Sequence, residues 1–268
     1  MSKANPFGAK GWTPERVGNL QGKTYLITGG NAGAGYEAAK VFLSKAAVRV
    51  NAEIPQIDAF ICNAAIAQVA KQELTKDGFE SQLGTNHFGH FLLTNLIFNR
   101  LVQSKARIVF VGSNGHKMGQ KKIQFDDINF NRNYNPHYTY CHSKFAQMMF
   151  AYELERRVKA ANLPVSVHVC HLGAARTTLA QEEANWITKF LFSLLSPLAQ
   201  SAERGAWPEV LCATEENLKP HAYYGPTKRA EMVGPIGECE LEASVLDTAQ
   251  ASRLWGLSEQ LTGVSWTF

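Results

Sequence analysis

No stretch of this chain reaches the ~20 consecutive apolar residues of a membrane helix, so no membrane span is expected, and residues 1–22 lack the apolar core of a signal segment. Runs of one charge sign are missing too. The 27 Lys and Arg and 23 Asp and Glu are scattered, giving a net charge of +4 with no basic stretch interleaved with aromatics, which argues against a nucleic-acid partner. There is no Pro/Ser-rich linker, low-complexity tract or internal repeat. With 268 residues and 45% hydrophobic content, a single domain over 1–268 with one large core is expected, residues 1–22 forming an N-terminal extension. The cysteines are odd in number and far apart. Cys62, Cys141, Cys170, Cys212 and Cys239 lie mostly in apolar runs and read as buried thiols rather than disulfides or metal ligands, so a reducing, cytoplasmic setting is expected.

What is present is an alternation of strand and helix patterns. Residues 24–28 are β-prone and stop at Thr28, Gly29, Gly30, Asn31, Ala32, Gly33, Ala34, Gly35, after which a helical pattern runs over 36–45. Glycines at the opening of a helix let backbone amides approach a pyrophosphate, whose charge the helix dipole favours; the same turn can also be a plain tight corner. A strand over 58–62 ends at Asn63, Ala64, Ala65, where the asparagine is either a turn former or a support for a ligand loop. Residues 78–103 read as a long helix with Asn86, His87 and His90 in an otherwise apolar middle; an asparagine there by itself commonly bonds only to backbone.

The strand over 106–111 ends at Gly112 and Ser113, the carboxyl end where an open α/β sheet holds its ligands. The polar stretch 114–137 is long for a plain connection and reads as an active-site rim. A helix over 138–157 follows, then a strand over 165–172, a second glycine turn with Thr177, a helix over 201–213 and a short strand over 222–225. On the 138–157 helix, Tyr140 and Lys144 are four residues apart and share one face. A free tyrosine ionises near pH ~10, so one that trades protons near neutrality needs a neighbouring positive charge, which Lys144 is placed to be. Alone, such a pair is usually an ordinary helix face.

Taken in order, Thr28 to Gly35, Asn63 to Ala65, Asn86, Ser113, Tyr140 with Lys144, and Gly173 to Thr177 resemble the short-chain dehydrogenases/reductases over nearly the whole chain. The wording Asn86, His87, Phe88, Gly89, His90, Phe91, then Tyr140, Cys141, His142, Ser143, Lys144, with the tail Leu254 to Gly263, is most similar to the retinol-dehydrogenase and protochlorophyllide-reductase-like branch. The resemblance implies a Rossmann-like, doubly wound parallel α/β sheet and an NAD(P)-dependent oxidoreductase. It implies that Tyr140 exchanges a proton with the substrate oxygen, that Ser113 hydrogen-bonds that oxygen, and that Lys144 lowers the tyrosine's pKa and holds the nicotinamide ribose. Asn86 would support a water-linked proton path to Lys144. Gly29, Asn31, Gly33, Ala34, Gly35, Asn63, Ala64 and Thr177 would line the cofactor, and no metal is required.

Three departures stand out. Leu172 replaces the family's usual proline and Ala65 its usual glycine; neither position supplies a reacting group. The larger departure is length. Between Gly35 and Asp58 lie 22 residues, where the family places two further strands with their helices, each such unit taking ~20 residues or more. The sheet is therefore expected to have a shortened edge. The absent part would carry the residue, ~20 positions after the glycine turn, that contacts the adenosine ribose; Arg49 and Glu53 do not replace it, and NAD and NADP are not distinguished. Two readings stand: the protein lacks the segment, or the 268 residues are not the whole encoded chain.

Over 181–200, Trp186, Ile187, Phe190, Leu191, Phe192, Leu194, Leu195 and Leu198 make an apolar run. It reads as a core helix, as a lid over a lipophilic carbonyl or alcohol substrate, or as a peripheral membrane contact. His116, His137, His142 and His171 show no metal-type spacing and read as structural or surface residues. The function expected is hydride transfer between nicotinamide and a small, mostly apolar carbonyl or alcohol. The alternative is a catalytically silent relative acting as a binding or scaffolding module. The resemblance also allows homo-oligomers.

Overall fold

A computed structural model describes residues 5–29, 54–119, 121–174 and 200–268. The expected helix over 36–45, the residues Asn31, Gly33, Ala34, Gly35 and Thr177, and the lid segment up to residue 199 lie outside the described residues. The described strands are β1 (Tyr25–Ile27), β2 (Ala59–Cys62), β3 (Arg107–Val111), β4 (Ser166–Cys170), β5 (Tyr223–Lys228) and β6 (Val233–Glu238). They form one sheet in chain order, parallel from β1 to β5, with β6 antiparallel.

The fold is mixed α/β with a mostly parallel sheet, as expected. β1 pairs directly with β2, Tyr25 opposite Ala59 and Ile27 opposite Ile61. No strand lies beyond β1 among the described residues; the shortened edge expected from the chain length concerns residues 30–53, which lie outside them. The reversal of strand order that marks a doubly wound sheet is not seen among them either. Both faces are nonetheless covered. Because successive strand residues point to opposite sides, Phe60, Cys62, Ile108 and Phe110 face one core, while Ala59, Ile61, Val109 and Val111 face the other.

The first core is closed by α1 (Gly89–Gln103), α2 (Pro136–Ala160) and α4 (Thr248–Thr262), the second by α3 (Ala202–Thr214). α2 begins where Asn135 accepts from the Tyr138 amide and Pro136 occupies the first turn. α1 is entered through a helical turn, Ser81–Leu83, and a π-helical stretch, Gly84–Phe88, so the helix expected over 78–103 is continuous in direction but wider at Asn86. At the chain's end Trp266 and Phe268 stack, with ring centroids 5.7 Å apart, and Trp266 lies 4.9 Å from Trp255 and 5.0 Å from Phe98. Arg157 of α2 sits 4.1 Å over the Trp255 ring. The N-terminal segment is part of the second core: Trp12 is fully buried, its amide donates to Ile236 at 2.9 Å, and Val17 and Leu20 pack beside it.

Candidate active site

Three strand ends and two helices bring the expected residues together. Ser113 follows β3 and caps a short 3-10 turn (Asn114–Lys117), its hydroxyl accepting from the Gly115 amide at 3.1 Å. The Tyr140 phenol, half-buried on α2, faces that same Ser113 side chain, whose influence favours the ionised phenol. Lys144 lies one turn further along and is 2% exposed.

The ammonium of Lys144 is turned into the interior, donating to the Val111 carbonyl at 2.8 Å and to Gln147 Oε1 at 3.0 Å. Burial lowers its pKa to about 8. Burial also pushes the Tyr140 phenol above its ordinary value, opposed by the neighbouring Ser113 side chain. The lowering by Lys144 expected from the sequence is not seen in this arrangement, in which the ammonium is held on Val111 and Gln147 and burial governs the phenol.

Asn86 is fully buried and every polar atom of its side chain is bonded. Oδ1 accepts from the Ile66 amide at 3.0 Å, and Nδ2 donates to the Ile66 carbonyl at 3.0 Å and to Ser143 Oγ at 2.9 Å. It thus pins the loop after Asn63 to α2 rather than reaching Lys144. Between them lie two residues that sequence reasoning passed over: Gln147, which holds Lys144, and His90, whose Nδ1 is 3.0 Å from the Asn86 carbonyl and 3.2 Å from Gln147 Nε2 and can bond only one of the two. The signal was helical spacing: His90 is four residues after Asn86, and Gln147 three after Lys144.

The turn after β1 meets the turn after β2. Asn63 Nδ2 donates to the carbonyls of Thr28 at 2.8 Å and Gly29 at 3.3 Å. Gly29 has φ of +68°, and a Cβ there would stand 3.0 Å from Ala64 Cα and 3.1 Å from Asn63 Nδ2, so glycine is required for this approach. The resulting cradle of backbone at paired strand ends fits a dinucleotide, and Gly29, Asn63 and Ala64 are the described residues that would hold it.

A second group of donors gathers beside the site. Atoms of His171, Glu231 and Cys239 lie within 4.8 Å of one another, a proximity that their sequence spacing does not reveal. Their polar atoms are already engaged: His171 Nδ1 accepts from the Gly173 amide at 3.2 Å, which leaves the ring proton on Nε2, facing Cys239 Sγ at 3.4 Å. Glu231 pairs with Lys117 at 2.6 Å and accepts from the Glu240 amide at 2.7 Å. A proton on Nε2 and a carboxylate already paired give a hydrogen-bonded cluster. His116 and His142 are buried, and burial lowers both to about 4; His137 is exposed.

The family profile described as short chain dehydrogenase matches residues 41–125. Human retinol dehydrogenase 12 is 31% identical over 295 positions, spanning 92% of this chain and 88% of that protein. The chain belongs to the short-chain dehydrogenase family. Within it, the retinol-dehydrogenase-like branch is matched again by human retinol dehydrogenase 14, 36% identical over 79% of this chain and 60% of the relative. An uncharacterised protein from Mycobacterium Paratuberculosis superposes with a TM-score of 0.76 at 28% identity, covering 96% of this chain and all of that one. The 3-ketoacyl-(acyl-carrier-protein) reductase from Brucella melitensis, solved with NADH, shares the fold with a TM-score of 0.53 at 18% identity, over 74% of this chain and 93% of that one. As a member of the family, this chain is an NAD(P)-dependent oxidoreductase acting on a CH–OH or C=O group. The aligned length of 295 exceeds the 268 residues present, so the human relative has residues that face gaps here.

Proposed function

We propose that this dehydrogenase interconverts a small lipophilic alcohol and its carbonyl, with Tyr140 as the group that exchanges the proton. The observation that carries the reading is the Tyr140 phenol set against the Ser113 side chain, which follows the carboxyl end of β3. NAD or NADP, when bound, supplies or accepts the hydride. The chain's own residues do the rest. Ser113 fixes the substrate oxygen beside the phenol, Tyr140 gives or takes its proton, and Lys144 holds a buried positive charge one helical turn away. Gly29, Asn63 and Ala64 would line one end of the cofactor; Asn31, Gly33, Ala34, Gly35 and Thr177 are assigned to it by the sequence pattern alone.

A lipophilic substrate is supported by Met118 and Met232, which stand 54% and 42% exposed beside the two turns that flank the site, and by the apolar run from Trp186 to Leu198. The names of the human relatives point to alcohols of the same kind. The five free thiols fit a reducing, cytoplasmic setting, and among the described residues no helix is long and apolar enough to cross a membrane.

The test is turnover of an aldehyde series of rising chain length with NADH and NADPH. Activity that grows with apolar length and disappears in Tyr140→Phe, with cofactor affinity within about twofold, is expected. Undiminished turnover in that variant would sink the assignment of Tyr140. No binding of either cofactor would favour the second reading, a silent relative used for binding, which the gaps against the human relative motivate.

A further inference from the structure

Among the buried polar groups that the proposed chemistry leaves unused, His90 has the most complete set of partners. It sits in the first turn of α1, 3% exposed, with Nδ1 at 3.0 Å from the Asn86 carbonyl and Nε2 at 3.1 Å from Thr28 Oγ1. That hydroxyl is the junction of the two turns. It accepts from the amides of Asn63 at 3.0 Å and Ala64 at 2.9 Å, and the Ile61 carbonyl lies 3.3 Å away.

Counting valences decides who donates. A threonine oxygen has two lone pairs and one proton. With both lone pairs taken by amides, the proton is all that remains for the ring, and Nε2 at 3.1 Å is nearer than the Ile61 carbonyl at 3.3 Å. Nε2 is therefore the bare nitrogen, and Nδ1 carries the hydrogen and donates to Asn86. The other tautomer would accept from Gln147 Nε2 at Nδ1, but would press a third donor onto an oxygen that has no lone pair left. Burial lowers the ring's pKa to about 4, so it stays neutral at working pH.

We infer that His90 is a positioning residue that locks the Thr28 hydroxyl, and through it the turn bearing Gly29 and the turn bearing Asn63 and Ala64, in the spacing that receives the dinucleotide. The inference rests on the proposed cofactor site. Without an acceptor at Nε2, the Thr28 hydroxyl swings to Ile61, its lone pairs turn with it, and the two amides lose alignment. Gly29 tolerates little of this, since Ala64 Cα would already stand 3.0 Å from any added Cβ.

Two variants separate the roles of the two ring nitrogens. His90→Asn keeps a donor for the Asn86 carbonyl and cannot reach Thr28; His90→Gln extends an amide to where Nε2 lies. Fluorescence titration with NADPH and NADH should show about tenfold weaker binding in His90→Asn and binding within about threefold of the parent in His90→Gln. At saturating cofactor, kcat should move by less than about threefold in both, so the loss falls on the cofactor KM. Equal cofactor affinity in His90→Asn and the parent overturns the inference, as does equal loss in both variants, which a merely structural role would give. Failure of the parent to bind any cofactor would instead sink the proposed function. In that event nitrogen-15 spectra of the ring still decide: a neutral imidazole protonated at Nδ1 from pH 5 to 8 is expected, and an Nε2-protonated ring would overturn the lock.

Discussion

Glu209 shows at the scale of one residue what desolvation costs. It sits on α3, fully buried, and neither carboxylate oxygen has a hydrogen-bond partner among the described residues. Burial raises its pKa from 4.5 to about 8, partly offset by the charge of Lys144. The sign follows from proton counting: an acid whose folded pKa is raised contributes full stability below its unfolded pKa and loses it as pH rises through the folded value. Glu209→Gln should therefore match the parent near pH 4.5 and gain on it up to about pH 8, ending several degrees higher in Tm at ~2–4 °C per kcal/mol. A gap between the two melting curves that stays constant from pH 5 to 9 would contradict this. Part of the site's arrangement was legible: Tyr140 faces Ser113 as helix spacing and strand ends suggested, whereas Lys144 turns inward to Val111 and Gln147. The bond partners of Asn86 were not, because Ile66 and Ser143 are its neighbours only through the packing of a loop on two helices.

At the scale of elements, the helix carrying the reactive tyrosine depends on its first turn. Asn135 Oδ1 accepts from the Tyr138 amide at 2.8 Å. Asn135→Ala should cost about 1 kcal/mol, read as a lower urea midpoint with unchanged slope; an unaltered midpoint would show the cap to be idle. Most elements were visible in the sequence because the strands are β-branched or aromatic and the helices have regular apolar spacing. β6 was not. Its residues, Val233 to Glu238, include two glycines and a proline, which read as a loop. The turn before it uses Arg229, Ala230 and Glu231 at φ of 51°, 54° and 61°, a left-handed run with no glycine or asparagine to announce it. The last helix did carry signals, Asp247 at its start and Gly263 at φ of 69° at its end.

For the whole molecule, the sheet edge that the sequence predicts to be shortened bears on one end of the cofactor. Only 22 residues lie between Gly35 and Asp58, where the family places its adenosine contacts, whereas Ser113, Tyr140 and Lys144, which we propose for the nicotinamide end, stand on described elements. Reduced nicotinamide mononucleotide should accordingly bind within about tenfold of NADH, and NADH and NADPH within about threefold of each other. Isothermal titration of the three compounds checks this, and a strong preference for either dinucleotide would refute it.

The aromatic stack at the chain's end has an optical consequence. Trp255 and Trp266, 4.9 Å apart at 56°, are close enough for their indole transitions to couple, and Arg157 ties one of them to the helix that bears Tyr140. The near-ultraviolet circular dichroism of the pair is thus a native reporter of how α2 sits against the tail. It reads the seating of the catalytic helix without a label, a substrate or a cofactor.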